Sequence, residues 1–311
     1  MKIFQTTHDF KPAKKTVLTI GTFDGVHIGH CQIITKILET ACNSDLESVI
    51  LTFFPHPRMV LNHNNDVKLL NTIAEKSSLL AFHGIENLII QKFDNDFANL
   101  SAEDFVKQVL VEQLNIQKII IGHDHRFGKN RAAGIADLIG FGQKYDFEVA
   151  QISAQTINDI SISSTKIRTA LNNGNVQLAN SYLGYNYELT GTVVHGKKIG
   201  RTIGFPTANI SIACQYKLIP NNGVYVVKCM IDNKIVFGVM NIGTKPTFNE
   251  QKMSIEVHFI DFEADLYKQI LTISILTYIR NEQKFDAIEA LKKQIELDKK
   301  AAVDYLKNYI R

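Results

Sequence analysis

TVLTIGTFDGVHIGHCQIITKILETAC, residues 16–42, runs from an apolar β-rich segment through a glycine-rich turn into an amphipathic helical pattern. Further β-rich runs at 48–54, 87–92, 117–121 and 147–152 alternate with helical patterns at 30–42, 72–83, 102–114 and 131–144. Ser101 and Asp104 open the third of these helices as a capping-box-like pair. Strand and helix in alternation predict an α/β, doubly wound, Rossmann-like domain with a parallel sheet.

Two short helices are predicted next, at 165–172 and 176–183, with Gly174 and Gly184 as their left-handed stops. A domain boundary follows at 184. Beyond it the pattern changes to period two, at 188–195, 224–232, 234–242, 254–261 and 270–279, with Asp232 and Asn233 as a tight turn. Consecutive strands on short turns predict an antiparallel β-barrel. Phe285, Ile288, Leu291, Ile295, Ala302 and Leu306 mark an amphipathic helix at 284–309 packed on it. The predicted domains are 1–184 and 185–311.

Composition agrees with two cores, since 311 residues at 45% hydrophobic exceed what one core usually organises. A net charge of +3 with 21% charged residues is too dilute for a nucleic-acid face, so the expected partners are small molecules. The four cysteines have no C-x-x-C spacing, which fits a reducing cytoplasm and neither a zinc site nor a disulfide framework. Residues 1–15 lack a leader's apolar stretch, and no apolar run has the length of a membrane span. Nothing in the sequence sets an oligomeric state.

In GTFDGVHIGH, residues 21–30, Gly21, Gly25 and Gly29 let the backbone pass close to a ligand. The helix start that follows offers free amides to phosphate. His27 and His30 are three apart, so a first helical turn between them aims both rings at one place. Two positioned imidazole donors suit nucleotidyl transfer, in which an oxygen attacks the α-phosphorus of ATP and pyrophosphate leaves. A metal pair with Asp24, or a merely polar turn, are the alternatives. Neither G-x-x-x-x-G-K-[ST] nor G-x-G-x-x-G occurs. ISSTKIR, residues 162–168, gathers Ser163, Ser164, Thr165, Lys166 and Arg168 at a second helix start, a phosphate site or simply a cap.

In the second half, GTVVHGKKIGRTIGFPTANI (191–210) carries Gly196, Gly200 and Gly204 beside Lys197, Lys198 and Arg201. Such a loop can close over phosphates, or be a mobile basic loop. Thr207 and Asn209 bring oxygen ligands suited to Mg²⁺. Over 254–261, Ile255, Val257 and Phe259 share one face and leave Glu256 and His258 on the other, where Glu256 is a proton acceptor or a solvated residue.

GTFDGVHIGH, TFFPHP (52–57), IGHDHRFGKNRAAG (121–134) and ISSTKIR, in this order, resemble the adenylyltransferase half of bacterial bifunctional riboflavin kinase/FAD synthetases. The 191–210 block, NIGTKPTF (241–248), Glu256 to Phe259, and Asp265 to Tyr267 resemble the kinase half. The resemblance implies ATP contacts at Gly21, Phe23, Asp24, Gly29, Ser164, Thr165 and Arg168, and flavin contacts at Phe54, Asp124 and Phe127. For the kinase it implies Mg-ATP contacts at Gly196, Lys197, Gly200, Gly204, Thr207 and Asn209, with Glu256 as base toward the terminal ribityl hydroxyl. His125 departs from the family's usual Asp-Phe-Arg-Phe-Gly. The expected enzyme is a cytoplasmic transferase that phosphorylates riboflavin to FMN and adenylylates FMN to FAD, using ATP and Mg²⁺. The rival readings are a lone H-x-G-H nucleotidyltransferase for another phosphorylated alcohol, and a nucleic-acid-binding barrel whose affinity falls with salt.

Overall fold

Val17 and Leu18 are neighbours in one strand, and both are fully buried, in two different apolar clusters. That is possible only for a strand covered on both faces. The computed structural model describes residues 1–311 apart from 62–66, 123–124, 153–155, 158–159, 197–198, 247–250, 286 and 310–311. The chain forms two compact units, Met1–Ser164 and Thr165–Arg311.

In the first unit the strands are β1 (Lys2–Phe4), β2 (Thr16–Ile20), β3 (Glu47–Phe54), β4 (Asn87–Lys92), β5 (Ile116–Gly122) and β6 (Glu148–Ile152). They form one sheet in the order β1-β4-β3-β2-β5-β6, every pair parallel. Val17, Ile50, Leu88 and Ile120 cluster with Ile34, Ile37 and Leu80 of the helices Ile28–Ser44 and Ile73–Phe82. Leu18, Val49, Leu51, Ile89 and Ile119 cluster with Phe105, Leu110 and Leu138 on the other face. The chain leaves β2 toward β3 on one side and returns to β5 on the other. The carboxyl end of β2 is therefore the switch point where doubly wound sheets bind ligands.

Two expectations are corrected here. The helix predicted at 131–144 runs Ile135–Tyr145, because Asn130 and Arg131 both take φ of 55° and Gly134, whose amide donates to Asp137 Oδ2 at 2.8 Å, starts the helix later. The helix predicted at 102–114 keeps its Ser101 cap but winds as a π-helix over Phe105–Gln113. A two-residue hairpin, β7 (Thr156–Ile157) with β8 (Ile160–Ser161), precedes the second unit.

The second unit begins with the helices Ser164–Asn172, whose first residue belongs to the first unit, and Val176–Leu183. Gly174 and Gly184 take φ of 75° and 82° as the predicted left-handed stops. Its strands are β9 (Glu188–Val194), β10 (Ala208–Ser211), β11 (Gly223–Ile231), β12 (Lys234–Pro246), β13 (Gln251–Phe259) and β14 (Ile270–Arg280). They close an antiparallel barrel in the order β10-β13-β12-β11-β14-β9. The short β10, absent from the period-two reading, is the strand that completes the ring.

Asn180 joins the helix Val176–Leu183 to the barrel: its Nδ2 donates to Ile275 O at 2.9 Å and its Oδ1 accepts from Tyr187 N at 2.8 Å. The last helix, predicted from 284, spans Ile288–Tyr309. Glu282 lies before it and accepts from Asn222 Nδ2 at 3.2 Å, which ties 281–285 to the barrel instead. Ala302 and Leu306 pack on Val224, Val226 and Leu276. Arg280 grips buried Asp298 with two hydrogen bonds, at 2.8 and 2.7 Å, and removing either partner of such a pair costs about 3–5 kcal/mol.

Candidate active sites

β2 delivers its last residue into a turn that is strained and tightly held. Phe23 and Val26, neither of them glycine, take φ of 46° and 36°. Such backbone costs roughly 1–3 kcal/mol per residue and persists only where its surroundings dictate it. Here Gly21 N donates to Leu51 O at 3.1 Å, and Thr22 O accepts from Thr52 Oγ1 at 3.2 Å and Lys76 Nζ at 2.7 Å. Asp24 is buried, and its Oδ1 accepts from the amides of Leu70 and Asn71 at 2.9 and 3.3 Å. Ser164, the last residue of the first unit, donates its Oγ proton to Asp24 O at 2.9 Å.

His27 is the N-cap of the helix Ile28–Ser44, its Nδ1 accepting from His30 N at 3.4 Å. The two rings stack with centroids 3.7 Å apart, and Phe23 lies 4.8 Å from the His30 ring. A Cβ on residue 29 would come within 3.3 Å of the His27 ring, so glycine there leaves the imidazole its place. Burial pushes His27 down to about 4. His30 is driven well below its usual range, first by burial and then by His27 and Lys76 beside it. Both are neutral at pH 7 and each carries one N–H. His30 Nδ1 is closed off from solvent and has no hydrogen-bond partner. The pair can donate to phosphate oxygens without bringing charge of its own.

The other predicted residues of this half lie on several different elements. Thr165 is exposed and Arg168 half-buried on the helix Ser164–Asn172. Phe54 ends β3, half-buried at the edge of the cluster that holds Phe23. Phe127 lies within the opposite core, its ring 6.0 Å from Phe105 and 6.1 Å from His125. Asp124 lies outside the described residues. Lys76 escaped the sequence reading, although its position in line with Ile73 and Leu80 put a cation on an apolar stripe.

On the barrel, β10 and β13 pair with Asn209 opposite Glu256, and β12 brings Asn241 to the other side of Glu256. The three side chains therefore share one face, while Ile255, Val257 and Phe259 are buried on the other. Thr207 Oγ1 donates to Glu256 Oε2 at 3.2 Å. His258, on the face predicted for it, is held by Pro206 O at 2.9 Å. A Cβ on residue 196 would overlap the Asn209 side chain, so only glycine lets the loop pass there. Gly200 O accepts from Phe205 N at 2.8 Å, and Gly204 takes φ of 90°, which folds the loop around a helical turn, Ile199–Thr202. Lys197 lies outside the described residues. Asn241 was quoted in a motif without a role, and the barrel register is what sets it beside Glu256.

Residues 9–166 match the FAD synthetase family and residues 183–306 match the Riboflavin kinase family. Full-length relatives carry both. A bifunctional riboflavin kinase/FMN adenylyltransferase from Buchnera aphidicola subsp. Schizaphis graminum is 39% identical and covers 99% of each chain. Proteins of the same description from Bacillus subtilis and Escherichia coli are 38% and 35% identical, covering 99% and 98% of each chain. The chain belongs to the bifunctional riboflavin kinase/FMN adenylyltransferase family. A crystal structure from Streptococcus pneumoniae, described as a macrolide-efflux protein, superposes on this family member with a TM-score of 0.89 at 30% identity, covering 97% of this chain and 98% of that one. Among the described residues, no helix is long and apolar enough to cross a membrane.

Proposed function

We propose that the chain makes FAD in two ATP-dependent steps, phosphorylating riboflavin to FMN on the barrel and adenylylating FMN in the N-terminal half with release of pyrophosphate. The observation that carries this reading is the presence, in one chain with both family matches, of two separately built donor sets: the stacked His27 and His30, and the Thr207, Asn209 and Glu256 row. We assign FMN adenylylation to 1–184 and riboflavin phosphorylation to 185–311.

In the first step Glu256 accepts the proton of the terminal ribityl hydroxyl as that oxygen attacks the γ-phosphorus of ATP and ADP leaves. Thr207 and Asn209 would hold Mg²⁺ together with the phosphate oxygens; their neutral oxygens next to one carboxylate fit a hard cation that keeps most of its ligands as water and phosphate. Mg²⁺ supplies charge neutralisation on the transferring phosphoryl group. The loop through Gly196, Lys197, Gly200 and Gly204 lies over those phosphates.

In the second step the FMN phosphate attacks the α-phosphorus of a second ATP, and pyrophosphate leaves. His27 and His30 donate to the oxygens of the crowded phosphorus centre, where each such donor contributes about 3 kcal/mol to the transition state. Gly21, Phe23, Asp24 and Gly29 shape the cradle, and Ser164, Thr165 and Arg168 bind the outgoing phosphates. Phe54, Asp124 and Phe127 border the flavin. A cytoplasmic location goes with these substrates and with four free thiols.

The test is incubation of purified protein with riboflavin, ATP and Mg²⁺, and separately with FMN, followed by separation of the three flavins. FMN and then FAD are expected in the first reaction, FAD in the second, and chelation of Mg²⁺ stops FMN formation. Folded protein that forms neither product overturns the reading.

A further inference from the structure

Lys76 lies in the helix Ile73–Phe82, capped by a Thr72–Glu75 box, and is only 3% exposed. Burying an ammonium costs several kcal/mol unless something compensates, so a lysine in this place requires a reason. Satisfying a carbonyl is not enough of one. Thr22 O already accepts from the Thr52 hydroxyl at 3.2 Å, and Lys76 Nζ adds a second, shorter bond at 2.7 Å. What the ammonium brings beyond that bond is its charge.

Around the ammonium stand Asp24 from the turn and His30 from the helix start, with His27 stacked on His30. The Asp24 carboxylate, fixed by the Leu70 and Asn71 amides, favours the charged lysine, while burial opposes it and brings Lys76 down to about 8. At neutral pH the lysine is charged and the imidazoles are neutral. Among Lys76, His27 and His30, the positive charge that meets an incoming triphosphate therefore comes from Lys76, out of water, where a charge acts more strongly than at the surface.

We infer that Lys76 is a positioning residue of the adenylyl-transfer turn, clamping the Thr22 carbonyl and setting a fixed positive charge beneath the residues that face phosphate. The inference rests on the assignment of adenylylation to this half of the chain. The ammonium also stabilises the Phe23 and Val26 backbone, because Thr22 is the residue through which β2 enters that turn.

The test is the pH dependence of FAD formation from FMN and ATP. A neutral amine still donates to Thr22, so deprotonation removes the charge and leaves the clamp. In the wild-type protein kcat/KM for ATP should fall as pH rises through about 8, since it reports the free enzyme. The corresponding limb in kcat should lie at higher pH, because bound phosphates favour the ammonium. His27 and His30 titrate far below this window and cannot produce the limb. Lys76→Met should lower kcat/KM for ATP about 100-fold, the order of one lost electrostatic contact to the transition state, and leave the residual activity flat across pH 7–9. A wild-type profile without an alkaline limb, or with the same limb in kcat and kcat/KM, overturns the inference even where Lys76→Met does not fold. So does folded Lys76→Met with wild-type kinetics. Wild-type protein that makes no FAD from FMN contradicts the functional assignment instead.

Discussion

Thr207 donates its hydroxyl proton to the Glu256 carboxylate, Oγ1 to Oε2 at 3.2 Å, at the start of the β10–β13 pair. The bond uses the hydroxyl's one proton and leaves its lone pairs free to face a cation. It also ties the Glu256 carboxylate to the chain segment that leads into β10.

Glu256→Gln keeps the shape and removes the proposed base, so riboflavin phosphorylation should fall by roughly 10²–10⁴-fold. Conversion of supplied FMN to FAD should be unchanged. Flavin separation from parallel reactions reads both steps, and joint loss in a folded variant would mean one composite site.

Gly196→Ala places a methyl where the Asn209 side chain lies. The collision is at the end of the barrel proposed to hold Mg-ATP, so KM for ATP in FMN formation should rise at least about tenfold, the effect of losing roughly 1.4 kcal/mol of binding. An unchanged KM would show that the loop passes Asn209 differently when nucleotide is bound.

The His27 ring is neutral when folded down to about pH 4 but protonates near 6.5 when unfolded. Above 6.5 neither state takes up the proton. Between 6.5 and 4 only the unfolded chain does, so stability falls with falling pH, by roughly 3 kcal/mol in full, and His30 acts in the same direction. His27→Asn retains an N-cap acceptor without titrating. Hydrogen exchange along Ile28–Ser44 should show a shallower loss of protection in this variant between pH 6.5 and 4, and equal slopes would refute the linkage.

A fragment 185–311 removes Asn180 and the buried Val176, Ala179 and Leu183, whereas 165–311 keeps them. The longer fragment should melt higher, by several degrees for each kcal/mol retained. Both should phosphorylate riboflavin if they fold. A shorter fragment that is equally stable would show that the helix Val176–Leu183 adds nothing to the barrel.

Much of this architecture was legible because burial imposes periodicity. Two covered faces made β2, β3 and β4 continuous apolar runs, and one covered face set Glu256 apart from Ile255 and Val257. The histidine spacing put the helix start between His27 and His30, and it lies at Ile28, two residues before the start predicted at 30. Other features depended on partners distant in sequence. β10 has only four residues and is a strand because β9 and β13 flank it. Asn130 and Arg131 adopt left-handed backbone without a glycine to announce it. Lys76 was missed although it puts a cation on an apolar stripe, because its meaning depends on Thr22, 54 positions earlier.

The first sheet ends on β1, a strand of only three residues carrying Lys2 and pairing with β4 alone. An open edge is a template for any stray extended chain, and edge strands this short and charged are a defence against aggregation. The barrel needs no such stopper, because β10 closes the ring between β9 and β13. What the amino-terminal strand covers is therefore the backbone edge of β4, whose N–H and C=O groups would be an open template until β1 has docked beside them.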